Sequence, residues 1–227
     1  MFGMTQVEDR SEAAAWSGTT GGREPRRGWR TIVHWFGMGC LMLAAGFAGY
    51  IAWSLWGTGL HTAAAQEELR GAFTEQLGEG PDDPSAAPEV VPLGGAYGQL
   101  LIPSIDVNFM VVQGTGYEDL KDGPGHYPDT ADPWDDTGRV GIAGHRTTYQ
   151  APFFDLEQLR AGDEITLRTR YGTYTYEVGR VFVIPSAGSG RVLVQTPRPT
   201  LVLTTCNPKY SSSERLIVTA RRVEVPA

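Results

Sequence analysis

Apolar residues fall into two textures along this chain, one continuous and one interrupted. Thr31–Leu60 carries no Asp, Glu, Lys or Arg over its whole length, and Trp35, Tyr50, Trp53 and Trp56 stand near its ends. A bilayer core takes roughly 20 apolar residues, whereas the apolar part of a signal peptide runs to about 7–15. The pattern therefore predicts one transmembrane helix over 31–58, with interfacial aromatics at its ends. From Ala96 onward the apolar residues come in short runs bounded by turn formers, the texture of an all-β domain. Strands are expected at Gly98–Ile102, Val107–Gln113, Val140–Ala143, Glu164–Arg170, Thr173–Ile184, Leu193–Gln195, Thr200–Thr205 and Arg215–Glu224. Tyr171-Gly172 reads as a hairpin turn, after which Thr173–Tyr176 alternates as a half-buried strand does. Helical pieces are confined to Tyr117–Lys121 and Phe153–Leu159. About eight strands closed on themselves remove exposed sheet edges, so a closed eight-stranded β-barrel is expected.

The segments outside these two textures set the organisation. Residues 1–30 are rich in Gly, Ser, Thr and charge without apolar periodicity and are expected to be a disordered cytoplasmic tail. Arg23, Arg26, Arg27 and Arg30 precede the span; beyond it Arg70 is surrounded by Glu67, Glu68, Glu75, Glu79, Asp82, Asp83 and Glu89. The positive-inside rule then puts the N-terminus in the cytoplasm and everything after about residue 60 outside, a single-pass topology. Residues 59–95 read as an extracellular linker: Ala63–Leu77 suits a short helix, and the Pro- and acid-rich Gly78–Pro92 suits a semi-rigid spacer holding the domain off the membrane. Residues 96–227 are the expected barrel domain. With 227 residues and 41% hydrophobic content the chain can core one such domain. A net charge of -7 without a basic stripe excludes nucleic acid as a partner.

The candidate chemistry lies near the end of the chain. The apolar run Leu201–Thr205 delivers Cys206 at its last position, and Asn207-Pro208 stops the strand. After the polar loop Lys209–Ser213 the chain returns as Arg215–Val218, which makes Cys206 and Arg215 neighbours at one end of a strand pair. Cys40 lies in the span and Cys206 outside it, so the two cannot pair; a lone exported thiol beside an arginine favours reactivity over packing. His34 and His61 flank the span. His145 follows the strand Val140–Ala143 and Gly144, which sets its imidazole at a strand end as well, while His126 in Gly123–Pro128 reads as a turn residue. Arg146 and Tyr149 follow the histidine in a loop and read as residues that merely solvate it, and Thr204 reads as a strand packer.

Three stretches together resemble a known family. Val-Leu-Thr-Thr-Cys at 202–206, Arg215 nine residues after the cysteine and Gly144-His145-Arg146 some sixty residues before it resemble the signature set of the sortases, the membrane-anchored cysteine transpeptidases of Gram-positive cell surfaces. The resemblance spans anchor, linker and barrel. GPGHYP at 123–128 and AGHRTTYQAPFFDLEQLRAGD at 143–163 are most similar to the class E housekeeping subgroup. One position departs from the family's Thr-Leu-x-Thr-Cys: Val202 replaces the first Thr, which removes a hydroxyl and no reacting group.

The resemblance implies an eight-stranded sortase-type barrel with Cys206 as nucleophile, His145 as general acid/base, Arg215 as oxyanion and substrate-orienting group and Thr205 in contact with substrate. It implies cleavage of a C-terminal LAxTG- or LPxTG-type sorting signal between Thr and Gly. The thioacyl-linked surface protein then passes to an amine of lipid II or peptidoglycan. A free thiol with a pKa of about 8.5 is only a few per cent thiolate at neutral pH, so the nearby cations His145 and Arg215 matter to the attack. No cofactor is implied, and no acidic loop reproduces the calcium site of some class A members, so no metal is expected. Two other readings fit the same chain: a pilus-polymerising sortase and a non-catalytic membrane-anchored adhesion module. A papain-like protease and an L,D-transpeptidase fit less well, because their local cysteine motifs are absent.

Overall fold

Each β-branched or aromatic run after Ala96 becomes a stave of one closed sheet. The structure, a computed structural model, describes residues 27–78 and 92–223. The strands are β1 (Ala96–Ile102), β2 (Val107–Gln113), β3 (Gly125–His126), β4 (Arg139–Ala143), β5 (Glu164–Thr169), β6 (Gly172–Pro185), β7 (Thr200–Asn207) and β8 (Glu214–Val223). They close in the order β1-β2-β3-β4-β7-β8-β6-β5. The pairs β2–β3 and β4–β7 are parallel, and the remaining neighbours are antiparallel. Leu100, Ile142, Phe153, Leu156, Ile165, Leu167, Tyr176, Leu201 and Leu203 are wholly buried and fill the interior. β5 alternates exposed and buried positions as a one-sided strand should, whereas Leu201–Thr205 of β7 are buried throughout.

Two strand expectations change. Leu193–Gln195 is not a strand; a 3-10 turn over Ser189–Leu193 takes its place. The eighth strand is instead β3, which carries His126. That histidine is only 1% exposed, so it is a core residue rather than a turn residue.

The chain divides into two compact units, Met1–Gly46 and Phe47–Ala227. The described part of the first is helical. It belongs to α1 (Arg27–Ala52), of which Gly28–Ala52 is long and apolar enough to cross a membrane. The expected tail falls mostly on residues 1–26, outside the described residues, as does the linker's 79–91. α1 ends at Ala52 and a π-helical turn follows over Trp53–Gly57.

The expected linker is largely a second helix, α2 (Thr58–Gly78), and it is docked on the barrel. Thr62, Gln66 and Phe73 are buried. The reason lies in the shortness of β3. Because β3 pairs only with Val112 and Gln113, the edge of β2 is uncovered at Met110. The Gln66 side chain supplies the missing rung: the Met110 N–H donates to its Oε1 (2.7 Å), and its Nε2 donates to the Met110 carbonyl (2.9 Å) and the Asp122 carbonyl (2.8 Å). The Thr62 hydroxyl donates to Lys121 O (2.8 Å), fixing the helix against α3 (Asp119–Asp122).

Candidate active site

β7 is the central strand of the site, held between β4 and β8. Its antiparallel register with β8 pairs Cys206 with Arg215 and Thr204 with Ile217. Directly opposed residues of an antiparallel pair share a face of the sheet, so the thiol and the guanidinium start from adjacent positions on one face. On the other side the parallel register with β4 ends at Ala143 opposite Thr204. Continued by two residues, it brings His145 opposite Cys206. Cys206 and Arg215 are thus paired on β7 and β8, and His145 follows two residues past the end of β4, on the other side of β7.

Past the end of that ladder two contacts keep the β4 and β7 continuations together. The Gly144 N–H donates to Thr204 O (3.1 Å), and the Thr205 hydroxyl donates to Gly144 O (2.7 Å). Thr205, expected to touch substrate, is only 3% exposed and is committed to this internal bond. The alternation of a strand puts Thr204, two residues before the cysteine, on the thiol's face instead. Thr204 lines a groove of about 250 Å³ together with Tyr127, Val192, Leu193, Arg215 and Ile217, and Tyr127 and Thr204 share a hydroxyl–hydroxyl bond of 3.1 Å. The 3-10 turn that replaced the expected Leu193 strand is one wall of this groove.

The charged members are held in distinct ways. Arg215 Nη1 donates to the carbonyls of Ser212 and Glu214, both at 3.0 Å, which anchors one arm of the fork. The His145 ring packs against Tyr149 with centroids 4.8 Å apart, and its Nε2 is buried without a hydrogen-bond partner among the described residues. Burial pushes the His145 pKa down, which favours the neutral imidazole. Cys206 is a free, part-buried thiol, two residues beyond Thr204 and paired with Arg215, which both line the groove. A free thiol, an imidazole and an anchored guanidinium gathered at one end of the sheet near a groove are the kinds of group that acyl transfer on a peptide needs. Among the described residues no group of three or more His, Cys, Asp or Glu is arranged to hold a metal ion.

His126 stands apart from this set. It is sandwiched in a polar cluster: Tyr97 stacks on its ring (4.2 Å, 7°), Nδ1 meets Gln113 Oε1 (2.8 Å) and Nε2 faces Ala131 O (3.2 Å) and Thr130 Oγ1 (3.1 Å). Arg146, read from sequence as a loop residue merely solvating the histidine, is 4% exposed and bonded through all three guanidinium nitrogens. The signal for it was present in the sequence only as its place directly after the histidine.

Comparison with known proteins was consistent. The model of the Sortase domain family matches residues 100–223. Sortase D of Bacillus subtilis is 35% identical over 133 residues, covering 57% of this chain and 65% of that protein, so the chain spans just under two thirds of its length. Among solved structures, a Sortase D5 transpeptidase of Clostridium perfringens superposes with a TM-score of 0.63 at 26% identity over 71% of this chain and 99% of that one. Sortase E1 of Streptomyces coelicolor, solved with a tripeptide in its active site, superposes with a TM-score of 0.54 at 30% identity over 57% of this chain and 88% of that one.

Proposed function

Because this chain belongs to the sortase family, whose domain model covers more than half of it, we propose that it is a cysteine transpeptidase anchoring exported proteins to the cell wall. The reading is supported by the pairing of Cys206 with Arg215 and by His145 two residues past the end of β4, next to the groove formed by Tyr127, Leu193, Thr204 and Ile217. In this reading an extended sorting signal of LAxTG or LPxTG type lies in the groove with its apolar side chains against Val192, Leu193 and Ile217. The Cys206 thiolate attacks the Thr carbonyl, and the oxyanion accepts hydrogen bonds from the Arg215 fork. His145, protonated as the thiolate forms, gives its proton to the departing glycine amine. The neutral imidazole then takes a proton from an incoming amine, which attacks the thioester and releases Cys206.

The acceptor in this proposal is the amine of lipid II or peptidoglycan, and the donor is an exported protein bearing the signal. α1 is the proposed anchor, with residues 1–26 and their arginines on the cytoplasmic side and the barrel outside. The tripeptide bound to the Streptomyces relative supports a peptide in the corresponding groove here.

The test is a fluorogenic LAxTG or LPxTG peptide offered to the full chain in detergent, with and without an amine acceptor. Wild type should yield the amine-ligated product, and Cys206→Ala none. Removing an oxyanion donor costs about 100- to 1,000-fold in turnover, and lysine lacks the planar fork. Turnover by Arg215→Lys should fall by that factor. Absence of cleavage, or cleavage that survives loss of the thiol, would overturn the reading.

A further inference from the structure

The ladder that brings β4 and β7 together stops at Ala143 and Thr204, short of His145 and Cys206. The geometry beyond that point needs something other than backbone pairing to hold it. Thr205 bridges to Gly144, one residue before the histidine. The next bridge comes from Arg146. Its Nη1 donates to the carbonyl of Cys206 itself (3.1 Å) and approaches Asn207 Oδ1 (3.5 Å), its Nε donates to Phe154 O (3.0 Å), and its Nη2 pairs with Glu157 Oε2 (2.9 Å).

All three guanidinium nitrogens are therefore used, by two separate loops. The loop after His145 supplies Phe154 and Glu157, and the nucleophile's strand end supplies Cys206 and Asn207. Glu157 also receives Lys209 (2.9 Å) from the segment following Cys206, and Lys209 lies over the Phe154 ring at 3.7 Å. The result is a charge-compensated staple between the two catalytic segments. The Arg146 side chain is 3% exposed and ion-paired, which leaves little uncompensated field at the thiol.

We infer that Arg146 is a positioning residue: its guanidinium substitutes for the missing rung of the β4–β7 ladder and fixes the backbone of Cys206 relative to His145. The inference rests on the acyl-transfer reading for its kinetic consequence but not for its geometry. A fixed planar fork is what the role needs. Lysine keeps the charge and has one nitrogen to offer where four acceptor groups are served.

The experiment uses the full chain in detergent and Arg146→Lys. Displacing a reacting group by about 1 Å costs on the order of 100-fold in rate, so kcat for sorting-peptide cleavage should fall by about that factor while KM stays within about twofold. Alkylation of Cys206 by iodoacetamide, read at that residue by mass spectrometry, should keep its pH midpoint, because a small reagent needs the thiolate and not its alignment. Amide exchange should speed up over residues 204–208 and stay unchanged in β1 and β2. A kcat within about threefold of wild type, equivalent to a small barrier change, would overturn the proposal. So would a shifted alkylation midpoint accompanying the loss, which would make Arg146 a field charge.

Should the lysine variant lose protection throughout the barrel, Glu157→Gln decides. It leaves Arg146 in place and removes the carboxylate charge that Arg146 and Lys209 both pair with, so kcat should drop roughly tenfold with the barrel intact; an unchanged kcat overturns the staple. If wild type itself cleaves no sorting peptide, the acyl-transfer reading fails, and exchange over 204–208 in Arg146→Lys alone accepts or rejects the positioning role.

Discussion

Burial holds the His126 imidazole neutral and pushes its pKa down to about 4, and burial pushes the Asp132 carboxyl, bonded to the Tyr97 hydroxyl at 2.5 Å, up to about 6. The two shifts act on stability with opposite signs. Between its ordinary value of 6.5 and about 4, His126 takes up a proton in the unfolded chain first, so its contribution is lost as pH falls. Between 3.8 and about 6, Asp132 holds its proton in the folded chain first, so its contribution grows as pH falls. From pH 6 to 4 the two offset each other. Asp132→Asn removes one side of the balance and should expose the His126 cost, on the order of 3 kcal/mol when complete. Urea unfolding at pH 6.5, 5 and 4 measures it: the variant should lose stability more steeply than wild type, and parallel curves would refute the assignment. The same residue shows why sequence reading stopped where it did. A histidine between Gly125 and Tyr127, with Pro124 and Pro128 beyond, carries every local mark of a turn, and only the partners Tyr97, Gln113 and Ala131, distant or hidden in the loop, make it core.

At the scale of elements, periodicity revealed what is long and missed what is short or polar. β2, β5 and β8 follow their apolar runs closely because each is six or more residues long, with alternation added in β5. β3 has two residues and no period to detect. The docking of α2 was invisible for another reason: its anchor is Gln66, which hydrophobic patterning counts as a solvent position. Arg146 and Thr205 belong with it, since each uses a side chain where a strand runs out of backbone partners. The strand-end positions of Cys206, His145 and Arg215 were legible because each follows or opens an apolar strand, whereas Leu193 of the groove wall reads as the start of a strand, Leu193–Gln195, although it closes the turn Ser189–Leu193. Gln66→Ala strips Met110 of both its partners at a buried position. An unpaired buried backbone group costs about 1–3 kcal/mol, so the variant should lose about 2–3 kcal/mol in stability. Exchange protection should vanish first along α2 and at Met110; protection there equal to wild type would mean that apolar contacts such as Phe73 hold the helix.

At the scale of the whole molecule, the docked α2 changes the reach of the enzyme. From Ala52, where α1 ends, to Thr58, where α2 begins, the chain has only Trp53–Gly57. Even fully extended, that stretch spans about 20 Å. With α1 in the bilayer as proposed, the tether between it and the docked helix is short. A flexible insert of about 20 Gly-Ser residues between Gly57 and Thr58 adds roughly 25 Å of root-mean-square reach. It should leave cleavage of a soluble peptide within about twofold and lower transfer to a vesicle-bound lipid-linked amine severalfold, through diluted effective concentration. Equal transfer at both tether lengths would refute this account. The short Trp53–Gly57 connection also changes the dimension of the encounter. An enzyme confined to a thin layer finds its partners by lateral diffusion, so its throughput should follow their number per unit area of membrane and be indifferent to the volume around the cell.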